Sequence, residues 1–203
     1  MTSIAEWLRP VSIRHAVYTP AELERIGGLS TDMQRVWRRR GQLLSVSTGH
    51  ARFSAPEVLG ITIRATLSRK GIMPSETEID VPSAVKSAMF HAIFGHGAVE
   101  VIGPASEVDH FLRRFREDQG ELGSFLVGDP PASSFLVIND QLETRIVDRP
   151  DDLVLEGEEV NIIYNLKRLG EALIERGRKP VMTVQWPDVP ASLVRRKLTG
   201  LDR

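Results

Sequence analysis

The sequence contains no cysteine, which excludes disulfide bonds, thiolate metal sites and a cysteine nucleophile. It also lacks any apolar run close to the roughly 20 residues that a membrane-spanning helix needs. Residues 1–7 have neither the basic segment nor the apolar segment of a secretory signal peptide. These absences lead us to expect a cytoplasmic protein that does not contact a membrane.

Acidic and basic residues are nearly balanced over the whole chain, but they are unevenly distributed along it. The 203 residues leave room for one large or two small domains. Residues 1–71 hold 11 lysines and arginines against 5 acidic residues, and residues 72–203 hold 15 against 22, which together give the net charge of −1. This asymmetry indicates a first part that binds a polyanion, with chance segregation of surface charge as the alternative.

Local signals near the N-terminus predict two short helices joined by a tight turn. Thr19 and Glu22 form a capping-box pattern, with proline between them at the first helical position. Gly27 and Gly28 end this helix by allowing a left-handed backbone. Ser30 then caps a second helix, which ends at Gly41.

The second of these helices carries a cluster of arginines. Three residues at helical spacing are predicted to face the core, namely Met33, Val36 and Trp37. The polar side chains left toward the outside are Gln34, Arg35, Arg38 and Arg39, followed by Arg40. Arginine forms bidentate bonds with guanine edges and with phosphate oxygens, so this face is a candidate DNA contact. A solvated helix face is the alternative.

A hairpin and a third helix are predicted to follow. Residues 43–46 and 51–53 are short β-prone runs, and residues 47–50 between them suit the tip of a hairpin. Ser54 and Glu57 repeat the capping box and start a helix that ends near Gly71.

In this order, residues 18–71 resemble the MerR-type winged helix-turn-helix and the related excisionase-like domains of phages. The similarity rests on residues 18–23, 28–43 and 51–58. It implies a recognition helix whose DNA face holds Ser30, Thr31, Arg35 and Arg38. It also implies a wing that contacts phosphate or the minor groove through Thr48, His50 and Arg52.

The sequence departs from this family at two positions and in one segment. Gln34 stands where the family usually has a leucine, so Met33 is expected to take the core role, and Val36 replaces one of two paired aromatics. The long dimerising helix and effector-binding segment of the MerR regulators are not evident after Gly71. The resemblance therefore supports DNA binding and not metal or drug sensing.

The rest of the chain predicts a small mixed α+β domain, so the fold class is α+β. The predicted helices are 81–94, 106–118 and 160–176, and the predicted strands are 98–102, 124–127, 134–138, 142–147 and 181–186. We expect an N-terminal arm at 1–17, a DNA-binding domain at 18–80 and an association or regulatory domain at 81–203. The basic tail at 193–198 is expected to be disordered or to touch DNA.

No catalytic, cofactor or metal motif is evident in the second domain. His91, His96 and His110 could form a metal site with Glu107, but core or surface histidines are the more common explanation. We therefore expect no enzymatic activity, no metal and no cofactor.

These patterns predict a sequence-specific transcription regulator that binds double-stranded DNA in the nucleoid. It is expected to be a homodimer through the second domain, and another protein is a further candidate partner of that acidic domain. One alternative is an excisionase-like or architectural factor that bends DNA. Another is a ligand-binding protein or enzyme in which the first domain is only a tether.

Overall fold

The computed structural model describes residues 4–43, 51–72, 81–128, 133–139, 141–149, 161–187 and 194–198. The helices among them are α1 (Ile4–Trp7), α2 (Pro20–Gly27), α3 (Thr31–Arg39), α4 (Ala55–Ser68), α5 (Val81–Ile93), α6 (Ala105–Glu117), α7 (Gln119–Val127) and α8 (Leu166–Gly177). The strands are β1 (Ser12–His15), β2 (Val17–Tyr18), β3 (Phe53–Ser54), β4 (Val99–Gly103), β5 (Phe135–Asn139), β6 (Thr144–Val147), β7 (Asn161–Asn165), β8 (Met182–Gln185) and β9 (Val194–Lys197). The predicted α+β class is confirmed.

The described strands form one larger and two smaller sheets. The larger sheet has the order β1-β8-β4-β9, in which β4 and β8 are parallel and both edge strands are antiparallel to their neighbours. A short ladder pairs β2 with β3, with Tyr18 opposite Phe53. The third sheet is antiparallel and has the order β6-β5-β7.

Segments near both chain ends supply edge strands to the larger sheet. Residues 12–15, which we expected in an arm, form β1 against β8. Residues 194–197, which we expected to be disordered or at DNA, form β9 against β4. Arg196 in β9 lies 3.2 Å from a carboxylate oxygen of Asp109. Such pairings depend on partners that are distant in sequence, so the local pattern could not indicate them.

Residues 124–127 were predicted as a strand, and this prediction was wrong because they form the end of α7. The Asp118 side chain caps that helix by accepting a hydrogen bond from the Glu121 amide at 3.1 Å. Gly128, with a φ of 77°, ends it. Leu122 and Leu126, four residues apart, are buried on one side. Both caps lie outside the apolar run, and the run by itself does not distinguish a buried strand from a helix.

The helix predicted at 160–176 is a strand followed by a helix, so its first part was also predicted wrongly. β7 pairs with β5, and α8 begins only at Leu166. The Asn165 side chain caps α8 by accepting from the Arg168 amide at 2.7 Å. Ile163, which the prediction placed on the apolar side of a helix, is 48% exposed.

Helices α5 and α8 pack together at the centre of the core. The buried positions that they contribute include Ala88, Ala92, Leu169, Gly170 and Leu173. A Cβ atom added to Gly170 would overlap the Ala88 carbonyl oxygen and lie 2.9 Å from the Ala92 nitrogen. The apolar side of α8 is therefore covered within the chain, and a homodimer would have to use another surface.

Candidate nucleic-acid interface

Two capped helices form the framework of the candidate interface. At the start of α2 the Thr19 hydroxyl accepts from the Glu22 amide at 3.2 Å, and the Glu22 carboxylate accepts from the Thr19 amide at 2.7 Å. Gly28 ends α2 with a φ of 69°. The Ser30 hydroxyl caps α3 by accepting from the Met33 amide at 3.3 Å. The capping and glycine signals are confirmed.

Gln34 is buried beneath α3 instead of facing outwards. Its Nε2 donates to the carbonyls of Pro20 and Leu29, both at 2.9 Å. Its neighbour Met33 is 43% exposed, whereas Gln34 itself is fully buried. The prediction for both residues was wrong, because two backbone acceptors satisfy the Gln34 amide nitrogen, although apolar spacing favoured the methionine. The Gln34 Oε1 is buried without a hydrogen-bond partner among the described residues. The buried Gln34 side chain therefore cannot contact a ligand that binds to the surface of α3.

The exposed side of α3 is basic. Arg35 and Arg39 are four residues apart and therefore lie on one face, and Arg40 follows at the C-cap. Arg35 pairs with Asp32 at 2.8 Å, with side chains that are 72% and 86% exposed, so solvent weakens this ion pair. None of the ion pairs among the described residues involves Arg39 or Arg40. Among the described residues, the exposed pair of Arg35 with Asp32 is thus the one ion pair on this face.

The polar groups at the start of α3 already have hydrogen-bond partners within the chain. The Thr31 amide and hydroxyl donate to the Glu24 carboxylate at 3.1 and 3.3 Å. A carboxylate satisfies the amides at a helix N-terminus and suits its positive end. A phosphate could reach the Thr31 amide only by displacing Glu24. The hydroxyl groups predicted to contact DNA, those of Ser30 and Thr31, therefore both have hydrogen-bond partners within the chain.

Arg38 lies against the protein and not on the outer face where it was predicted. Its guanidinium is 5.6 Å from the centre of the Phe53 ring, which is within the range of a cation–π contact. Its Nε and one terminal nitrogen are buried and have no hydrogen-bond partner among the described residues. The Arg38 side chain therefore joins α3 to β3.

The structure describes only part of the predicted wing. Thr48 and His50 lie outside the described residues, as do residues 44–47 and 49. Arg52 is exposed, and its guanidinium donates to the Ala51 carbonyl at 3.2 Å. Phe53 pairs with Tyr18 in β2, so the end of the predicted hairpin is fastened to the strand that precedes α2.

Two arginines join α2 to α8 by capping each other's helix. Arg25, in the last turn of α2, donates from Nε to the Arg176 carbonyl at 2.7 Å. Arg176, in the last turn of α8, donates from Nη1 to the Ile26 carbonyl at 3.0 Å. Each cation satisfies a carbonyl at the negative end of the other helix. The arginine-bearing helices are thereby bonded to the C-terminal half of the chain.

Lys179 makes a second connection, to the start of α2. Its Nζ donates to the Val17 carbonyl at 2.8 Å and to the Glu22 carboxylate at 2.7 Å. Burial raises the pKa of Glu22, but the hydrogen bonds from Lys179 and Thr19 and the charge of Lys179 outweigh it, so the pKa is lowered from 4.5. Burial and the Glu22 charge raise the pKa of Tyr18 to about 12. At neutral pH the ion pair is therefore formed and Tyr18 is uncharged.

The sequence pattern did not indicate Arg25, Arg176 or Lys179. The bonds of Arg176 to Ile26 and of Lys179 to Glu22 span 150 and 157 residues. A basic residue in the last turn of a helix was the available signal, because such a residue can satisfy free carbonyls. That signal does not identify the helix whose end the basic residue will cap.

His91 and His110 contact different residues in the structure. His91 Nε2 is 3.5 Å from the Ser134 hydroxyl, and burial lowers the pKa of His91. His110 instead packs edge-on against Trp7, with ring centres 4.4 Å apart. In the part of the chain that the structure describes, no three His, Asp or Glu side chains are grouped as a metal would require.

The described helices are also too short or too polar to cross a membrane. Compared with protein-family models and with curated proteins, the chain matches none of either.

Proposed function

We propose that this protein is a sequence-specific DNA-binding transcription regulator, and that residues 18–71 form a winged helix-turn-helix. In this proposal α3 is the recognition helix and enters the major groove, with α2 packed across it. The wing comprises the segment between α3 and β3, including Thr48, His50 and Arg52. The protein would act on double-stranded DNA in the nucleoid of the cytoplasm.

The exposed basic face of α3 carries the proposal. Arg35 and Arg39 point the same way from a helix whose opposite side is buried through Gln34 and Trp37. Arg35 has only a solvent-exposed partner, and Arg39 has no ion pair among the described residues. An anion that met this face would therefore break only one exposed ion pair.

The two types of contact with DNA would come from different groups on this face. Contacts of Arg39 and Arg40 with phosphate would supply affinity by releasing counterions, and they would position the helix. Arg35 and Asp32 lie nearer the N-terminus of α3, the part of a recognition helix that contacts base edges. Arginine pairs with guanine and a carboxylate can accept from cytosine, so these two side chains are the candidates for specificity.

The C-terminal half favours a regulator over the architectural alternative. The bonds from Arg25, Arg176 and Lys179 fasten α2 to α8 and to the segment after it. A DNA-binding unit fixed to a second large body suits a protein that presents another surface while bound to DNA. We further propose a homodimer, which would place two recognition helices about one DNA turn apart. Light scattering at micromolar concentration that gave only monomer would contradict the dimer.

A matched pair of double variants tests the DNA-binding proposal. Arg35→Ala with Arg39→Ala removes two charges from α3, and Arg113→Ala with Arg116→Ala removes two exposed charges from α6. Because Arg39 is assigned to phosphate and Arg35 to a base edge, the slope of log affinity against log salt should fall by about 0.9 for the first variant, and its preference for the operator over random duplex should also fall. The α6 variant should keep the wild-type slope. Equal losses in the two variants would mean that α3 is not the contacting helix.

A further inference from the structure

A pocket of about 270 Å³ opens where α2 and α4 face β7 and α8. On one side its wall is formed by the end of α2, by the second half of α4, including Thr66, and by Arg69 at the C-cap of α4. On the other side the wall is formed by Tyr164 in β7 and by the exposed edge of α8, including Arg176. The pocket therefore lies between the helices that support α3 and the C-terminal half.

Two guanidinium groups line this pocket without an ion-pair partner among the described residues. Arg69 donates to the Thr66 hydroxyl at 3.0 Å, and Arg176 donates to the Ile26 carbonyl at 3.0 Å. None of the ion pairs among the described residues involves either arginine. Arg168, which also lines the pocket, differs because Glu171 and Glu175 lie 2.9 and 3.4 Å from it. Two guanidinium groups in the pocket wall thus have no paired carboxylate among the described residues.

Two hydroxyl groups line the pocket together with the two cations. The Tyr164 hydroxyl is 3.5 Å from the Thr66 hydroxyl, and Arg69 bonds to the same Thr66 oxygen. Burial raises the pKa of Tyr164, while the charges of Arg69 and Arg176 oppose that rise. The side chains of Thr66, Arg69, Tyr164 and Arg176 all line the same pocket. Two cations and two hydroxyls that converge in this way suit the oxygens of a carboxylate or a phosphate.

Part of the pocket wall is apolar. Ile163 is one of the three large hydrophobic side chains that are strongly exposed among the described residues, at 48%. Ile26 and Leu169 contribute further apolar wall, and both are buried. A ligand with an apolar part would cover Ile163 while its charged end met the arginines. Small-molecule sites commonly combine apolar walls with a few convergent polar groups in this way.

We propose that this pocket binds a small organic anion, whose carboxylate or phosphate is held by Arg69 and Arg176 and whose apolar part packs on Ile163. The volume limits the ligand to the size of a small metabolite. The pocket lies between α8 and the pair α2 and α4, so the bound anion would connect these elements. It would bind Arg176, which also caps α2. Any effect of that link on DNA affinity rests on the proposed function, whereas binding of the anion does not.

Titration of the full chain without DNA tests the site. The probes are phenyl phosphate and benzoate, compared with inorganic phosphate and with neutral benzyl alcohol, at constant ionic strength. Amide chemical shifts in NMR spectra measure binding, with signals of Thr66, Arg69 and Ala172 expected to move. A ligand of this size that binds with ordinary efficiency has a Kd of about 5 mM. The two aromatic anions show which head group the arginines prefer, and inorganic phosphate and benzyl alcohol are expected to bind more weakly.

Arg69→Gln and Lys70→Gln form the matched pair of variants. Both remove one positive charge at neighbouring positions, but only Arg69 lines the pocket. Arg69→Gln should weaken the preferred aromatic anion about tenfold, since charge-assisted hydrogen bonds are the strong ones. Arg69 caps no helix of the C-terminal half, so folding should be unaffected, which circular dichroism checks. Lys70→Gln should bind as the wild type does.

Two results would overturn the inference. One is the absence of saturation by either aromatic anion at about 50 mM, ten times the expected Kd. The other is equal weakening by Arg69→Gln and Lys70→Gln, which would mean that only the general positive charge attracts the anion. Neither result bears on binding of DNA by α3, which the double variants of α3 and α6 test separately.

Discussion

Replacement of Gly170 by alanine should destabilise the protein, although alanine normally stabilises a helix. Gly170 lies within α8, where α8 packs on α5. Alanine is favoured over glycine in a helix by about 1 kcal/mol. At this position, however, the new methyl group would meet the backbone of Ala88 and Ala92, and not a side chain that could rotate away.

The expected cost follows from how far the two helices would have to separate. The added carbon would lie 2.9 Å from the Ala92 nitrogen, whereas carbon atoms in good contact are about 3.5–4.0 Å apart. A separation of roughly 1 Å would lose a quarter to a half of the attraction across the contact. Overpacking of a core costs about 1–3 kcal/mol, and a backbone obstacle favours the upper end of that range. After the gain in helix propensity, the net loss should be about 2 kcal/mol.

Urea denaturation measures this loss, followed by the fluorescence of the three tryptophans and by circular dichroism. With a slope of about 2 kcal/mol per molar urea, the midpoint should fall by about 1 M. Gly120→Ala is the control, since that glycine is also helical but a Cβ there meets nothing within 4 Å. The control should be neutral or slightly stabilised. A Gly170→Ala midpoint equal to or above that of the wild type would refute the close packing of α5 and α8.

The remaining predictions concern the attachment of α2 and α3. Gln34→Ala should lower the free energy of unfolding by about 3 kcal/mol, because two hydrogen bonds and the packing around a buried side chain are lost, whereas Met33→Ala should change it by no more than about 0.5 kcal/mol. A larger loss of stability for Met33→Ala than for Gln34→Ala in chemical denaturation would contradict the burial of Gln34 and support the core role expected for Met33. Glu22→Gln should destabilise the protein at neutral pH. The pKa of Glu22 is lowered in the folded state, so the stability it contributes is present above its ordinary value of 4.5 and is lost as the pH falls through the folded value. The difference in unfolding free energy between the wild type and Glu22→Gln should accordingly shrink in denaturation curves measured below pH 4.5, and a difference independent of pH would exclude the ion pair with Lys179 as its cause.

The features that could be predicted from the sequence are those in which interacting residues are close in the chain. The capping boxes at Thr19 and Ser54 and the left-handed Gly28 each involve residues within one helical turn, and all are confirmed. Helix α5 and strand β8 also lie within about two residues of their predicted positions. A local pattern is sufficient in these cases because the partner is part of the pattern.

The features that were missed depend on partners elsewhere in the chain. Gln34 is buried because the carbonyls of Pro20 and Leu29 accept hydrogen bonds from it. The spacing of apolar residues in α3 had instead favoured Met33 as the core residue. The strand that replaces the first part of the expected long helix forms because β5 lies beside it. The pocket between α4 and α8 needs the packing of both helices and has no local signature.

The most direct test of the central claim is selection of duplexes from a random pool, followed by a salt series on the selected and scrambled sequences. We predict enrichment of a defined site that binds about a thousandfold or more tightly than the scrambled duplex at physiological salt, with an affinity that falls steeply as salt rises. For a homodimer, the selected site should have two-fold symmetry with half-sites about one helical turn apart. Equal and weak binding to both duplexes would contradict a sequence-specific regulator and favour the architectural alternative. No binding even at low salt would contradict DNA binding by the basic face of α3 altogether.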